Sequence, residues 1–189
     1  MKIFPFESKL LIPALESERI FLYGSDKEKN PWFYFKPFSE PGKYFKRKNI
    51  KIKMEDYLNY IVYVFEFWSE LLINKGLNTT FTMLVDWNGE EIDSETSNFY
   101  FNSIWNLINT HYPLKLVRIH LANVKLKSTH LISKLKKKKI IFHDELYKIS
   151  LLTYFNQNEL HHEYGGSSLR EYDITKLKET NDLAGFITT

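Results

Sequence analysis

LHHEYGG, residues 160–166, decides how the chain is read, because of the order of segments that leads up to it. Its two glycines, Gly165 and Gly166, suit a turn that needs positive φ. Working back, KKIIFH (138–143) has the composition of a strand. HYPLKLVRIHLAN (111–123) holds a Tyr-Pro pair and then a strand over Lys115 to Ala122. FTMLVDWNG (81–89) completes TTFTMLVD (79–86), a continuous β-prone run that suits an interior strand covered on both faces.

Helical patterns lie between these runs. Met54 to Lys75 is the clearest, with Leu58, Ile61, Val62, Phe65, Trp68 and Leu72 on one apolar stripe and Gly76 placed to end it. A second helix carries Phe101, Ile104, Trp105 and Ile108 and stops before Pro113. A third is expected over Asp144 to Phe155, with Leu146, Ile149, Leu152 and Tyr154 as its apolar positions. Nearer the start, RIFLY (19–23) and WFYFKPF (32–38) read as strands around a polar turn, Gly24 to Asn30. Strands alternating with helices predict an α/β domain with a mainly parallel sheet flanked by helices. The expected division is an arm over 1–18, one domain over 19–166 and a tail over 167–189.

Composition narrows the function. The chain has 189 residues, enough for one domain with a real core. Its 15 Phe, 12 Tyr and 4 Trp suit a dense core or an apolar cavity. A net charge of +3 gives no global pull toward nucleic acid. The absence of Cys excludes disulfides, thiolate metal sites and cysteine nucleophiles. No run approaches the ~20 apolar residues that span a bilayer, and the first residues lack a signal-peptide pattern. The expectation is a cytoplasmic protein, free or attached peripherally to a membrane or a larger assembly.

A strand ending in Asp86-x-x-Gly89, a helix running into Tyr112-Pro113, a strand ending in Asn123, a basic turn, another strand and a closing Glu163-Tyr164-Gly165-Gly166 form an ordered set. That order resembles the CRAL-TRIO (Sec14-like) lipid-binding domain and spans residues 20 to 166. Asn30-Pro31 and the run to Phe35 resemble the family's first turn and core strand, although Lys29-Asn30-Pro31 stands where Gly-Arg-Pro is common. His161 replaces the usual Pro before the Glu-Tyr-Gly-Gly. The resemblance implies a Sec14-like domain, here without the helical domain that often precedes it. It also implies a non-enzymatic function. One departure bears on that function. The family's mobile gate helix would fall in Val124 to Lys137, which is shorter than expected by about seven residues, or two turns.

Under this resemblance the walls of a lipid pocket would come from Phe33, Phe35, Leu84, Ile104, Ile108, Ile119 and Leu121, with Leu131 and Ile132 from the gate. The same residues also read as plain core. Lys134, Lys136, Lys137, Lys138 and Lys139 form the strongest charge cluster, with Lys125 and Lys127 nearby. Each could contribute about 1 kcal/mol toward an anionic or phosphoinositide-bearing surface, or the cluster could be a solvated turn. Adjacent His161 and His162 would point to opposite faces of an extended segment, so no metal is expected there. His111, His120, His130 and His143 are dispersed and read as structural. Asp86 with Glu90, Glu91 and Asp93 reads as a solvated acidic turn and helix start. No phosphate loop or nucleophile elbow is present, and neither a cofactor nor a catalytic residue is expected. Two functions follow as expectations: a module for a hydrophobic lipid ligand at an anionic membrane, or an adaptor or structural subunit with a closed pocket. The adaptor would use the apolar arm and the Leu183-Ala184-Phe186-Ile187 tail patch as partner surfaces.

Overall fold

Five strands form one sheet in sequential order. They are β1 (Ile20–Ser25), β2 (Pro31–Phe35), β3 (Thr80–Asp86), β4 (Lys115–Ala122) and β5 (Ile140–Phe142). The computed structural model describes residues 20–36, 61–62, 64–66, 69, 72–74, 76, 79–89, 105–112, 115–125, 139–143 and 145–169. β1 is an antiparallel edge strand, and β2 to β5 run parallel. The mainly parallel α/β sheet expected from the sequence is therefore present. β3 is buried along its length from Phe81 to Asp86, as a strand covered on both faces must be.

Register assigns the faces. Phe33, Met83, Ile119 and Ile140 are partners across the sheet, as are Phe35, Val85, Leu121 and Phe142. Side chains alternate along a strand, so all of these share one face. Helical residues 61, 62, 64–66, 69 and 72–74 and helix α1 (Trp105–His111) connect the parallel strands. Phe65 packs 5.3 Å from Phe33, 5.7 Å from Phe81 and 5.9 Å from Tyr112, which places that helical layer on this face. Consecutive right-handed crossovers between neighbouring strands put their helices on the same side.

The other face carries Trp32, Tyr34, Leu84, His120 and Ala122. The closing segment fills it with Leu151, Phe155, Leu160 and Tyr164. Within that segment, helix α2 covers only Tyr147–Leu151, and a 3-10 turn covers His162–Tyr164. The twelve-residue helix expected over 144–155 is thus corrected to one short turn of helix. Its last bonds tighten, with Thr153 N–H on Ser150 O and Tyr154 N–H on Leu151 O. The backbone then bends so that Tyr154 O accepts from Lys27 N–H and Phe155 bridges to Asp26 beside β1. The tertiary contacts outweigh local helical preference. Leu146 and Ile149, expected to face the core, are 64 % and 69 % exposed. Gly165 adopts φ 91°, and a Cβ there would lie 2.6 Å from Lys148 O. Gly166 packs so closely on Leu160 O that a Cβ has no room.

Asp86 fastens these layers. Its Oδ1 accepts from Asn88 N–H at 2.8 Å and Asn123 Nδ2 at 3.2 Å, and its Oδ2 accepts from Tyr164 OH at 2.6 Å. Tyr164 also hydrogen-bonds Tyr34 OH. Lys36 Nζ stands 3.7 Å from Asp86 Oδ2 and 3.4 Å from Glu163. The reading of Asp86 as part of a solvated turn is corrected: it is 5 % exposed, because the closing segment folds over it. Burial pushes the Tyr164 and Tyr34 phenols far above their ordinary value, so both stay protonated. Replacing Tyr164 by Phe keeps the ring and removes the donor to a buried carboxylate. The expected result is a loss of about 2 kcal/mol in urea unfolding, with the native circular dichroism spectrum kept. A loss below a few tenths would mean that the bond holds nothing together.

Candidate functional site

A cleft of about 840 Å³ lies beyond the carboxyl ends of β3, β4 and β5. That end of a parallel sheet is where ligands enter α/β folds, because the strands stop there and their connections diverge. Gly89 follows β3, Asn123 to Lys125 follow β4, and Phe142 and His143 close β5. Glu145 to Tyr147, with Ile149 and Ser150, form the opposing wall. The lining divides into an apolar part, Val124, Phe142, Leu146, Tyr147 and Ile149, and a polar part that includes Lys125, His143 and Ser150.

His143 ties the two walls together. Its Nδ1 lies 2.8 Å from Ser150 Oγ on α2, and its Nε2 lies 2.9 Å from His120 Nδ1 on β4. His120 is fully buried between His143, Tyr154 and Phe155, with Arg118 nearby over the Tyr154 ring. Burial, then the neighbouring His143 and Arg118, push the His120 imidazole down to about 2. His120 therefore stays neutral, and its Nε2 has no hydrogen-bond partner. A neutral His120 can still make its bond to His143, because a neutral imidazole keeps one donor and one acceptor nitrogen.

The two histidines read as dispersed in the sequence meet because β4 and β5 pair in register, with His120 opposite Ile141. Only the strand register, not the spacing of 23 residues, could have signalled the pair. His161 and His162 do not point apart as expected: their rings lie 4.2 Å from each other. His161 is itself extended but caps the 3-10 turn that starts at His162, so the strand alternation does not carry on to His162. Among the described residues no group of three acidic or His side chains could hold a metal.

Six of the residues expected to wall a lipid pocket are among those described. Phe33, Phe35, Ile119 and Leu121 are buried on the helix-covered face, Leu84 is buried on the opposite face, and Ile108 is buried on α1. None of these six lines the cleft. Ile104, Leu131, Ile132, Lys134, Lys136, Lys137 and Lys138 lie outside the described residues, as do Glu90, Glu91, Asp93, the arm 1–18 and the tail beyond Leu169. Lys139 is exposed just before β5, about 13 Å of strand away from His143. Lys125, a secondary member of the charge cluster, lines the cleft itself.

The neutral His120 makes a pH prediction. Its native value, about 2, lies below the ordinary 6.5 of an unfolded chain, so the unfolded state binds the proton first as pH falls. The stability from its burial is complete above 6.5 and drains on acidification toward 2. This one group can contribute up to about 1.4 kcal/mol of lost stability per pH unit. Urea unfolding of a His120→Phe variant should show a pH slope lower by about one proton between pH 6 and pH 4. An unchanged slope would mean that His120 is solvated.

A model of the CRAL/TRIO domain matches residues 15–166. A comparison with curated proteins returns no match. The matched span contains β1 to β5, the Asp86–Asn123–Tyr164 contacts and both walls of the cleft. The chain belongs to the CRAL/TRIO domain family.

Proposed function

We propose that this chain is a non-enzymatic module that holds a hydrophobic lipid ligand, of acyl or isoprenoid type, and works at an anionic membrane surface. CRAL/TRIO domains generally bind lipids or other small ligands. The observation that carries the reading for this chain is the cleft. Its volume of about 840 Å³ falls within the range of small-molecule sites, and its wall is apolar with a few polar groups to one side. An acyl chain would lie along Val124, Phe142 and Ile149, and a polar head would meet Lys125.

The non-enzymatic part rests on His143. Ser150 and His143 resemble a nucleophile and its base, but the group behind His143 is a neutral imidazole with Arg118 beside it. A neutral imidazole in that position brings no negative charge to offset an imidazolium, as the aspartate of a serine triad does. The relay instead joins the two walls of the cleft. The charge on the membrane side would come from Lys134 and Lys136 to Lys139, whose ammoniums meet anionic headgroups.

One observation favours a second reading, an adaptor with a closed pocket. Both faces of the sheet are filled by side chains, leaving the cleft at one end as the space for a ligand among the described residues. Titration with a fatty acid carrying a nitrobenzoxadiazole dye separates the two. The module binds it saturably at one site, and Ser150→Trp, which fills the cleft, weakens binding at least about tenfold. Lys134 and Lys136 to Lys139 changed to Glu lose their binding to phosphatidylserine vesicles. Absence of saturable dye binding by the natural chain would leave the adaptor.

A further inference from the structure

We infer that Leu146 and Ile149 form a wedge that inserts into an anionic bilayer at the mouth of the cleft. The inference rests on the reading of the cleft as a lipid site and names the surface through which that site would meet its membrane. Four large apolar side chains are exposed among the described residues, and two of them are Leu146 at 64 % and Ile149 at 69 %. They stand three residues apart, so they share one side of the α2 turn. Both also line the cleft. Leu151 and Phe155 fill the core beneath, so this pair is not left over from imperfect packing.

The surroundings favour a bilayer over a protein. Lys125 lines the same cleft and is exposed, and Glu145 is the acidic counterpart on the rim. Two apolar tips at a mouth that also carries Lys125 match the interfacial boundary, where apolar side chains enter the acyl region and an ammonium stays among headgroups. Two side chains fall far short of the ~1,200 Å² that a specific protein interface buries. A bilayer needs no matching partner shape and takes apolar tips singly. Because the wedge borders the cleft, an acyl chain passing between bilayer and cleft would slide along Ile149 without crossing water.

The chain has no cysteine, so Leu146→Cys and Ile149→Cys can each carry a single environment-sensitive dye. Gln157→Cys, at an exposed position away from the cleft lining, serves as the control. With phosphatidylcholine vesicles containing phosphatidylserine, the dye at 146 and at 149 should brighten, shift to the blue and be quenched by lipids spin-labelled high on the acyl chain. The dye at 157 should not change. Leu146→Asp with Ile149→Asp should lower vesicle partitioning at least about tenfold. Vesicle binding without a change at 146 and 149 would overturn the wedge, as would no vesicle binding at all. A dye already shielded in solution, with a doubled mass, would assign the pair to a second copy and also overturn it. The dye-labelled fatty acid keeps the two readings apart. If it binds while the wedge test fails, the cleft stands and its membrane surface lies elsewhere; if it does not bind, the lipid reading fails first.

Discussion

The buried carboxylate of Asp86 is the constraint on which the arrangement depends. It sits at the carboxyl end of the central strand, where a charge can be kept from water only if the groups around it donate hydrogen bonds. Donors arrive from three places: the backbone just after β3, Asn123 just after β4 and Tyr164 from the closing segment. Tyr164 in turn bonds to Tyr34 on β2. One buried side chain therefore fixes the ends of three strands and the segment that seals one face. Residues nearly eighty positions apart are held by the cost of leaving that charge unpaired.

The cleft follows from this fastening. With Asn123 held at Asp86, the chain after β4 leaves the sheet in a set direction, with Asn123 in the left-handed region at φ 53°. Gly89 is tied to the same place by its N–H on Asn123 O. These residues make the sheet wall. The opposite wall is positioned from below, where Leu151 and Phe155 enter the core, and from the side, where Ser150 meets His143. The space between them has an apolar lining because its walls are the ends of hydrophobic strands. It has a polar edge because those ends must satisfy backbone and imidazole groups.

Much of this was legible before any coordinates, and for physical reasons. β3 announced itself because a buried parallel strand is a near-continuous β-prone run. Three residues that carried the family resemblance, Asp86, Asn123 and Tyr164, prove to be one hydrogen-bonded cluster. Local pattern failed where long-range packing decides. The helix expected to run to Phe155 stops at Leu151, because Asp26 and Lys27 draw the next turn toward β1. Apolar periodicity marked Leu146 and Ile149 as core, yet it cannot tell which side of a short helix the sheet will take. His120 and His143 carry no motif, and their meeting depends on strand register alone. The expected pocket residues that are described lie on both faces of the sheet and on α1, because alternation along a strand separates Leu84 from Phe33 and Phe35.

The central claim is that the cleft beyond the carboxyl ends of the strands carries a hydrophobic ligand. Native mass spectrometry of the protein purified without detergent from its own cells tests it most directly. The account predicts a discrete added mass of several hundred daltons, about that of one lipid, that partitions into organic solvent and fits a cleft of this size. A bare chain mass, or a stable complex with another polypeptide and no lipid, would contradict it.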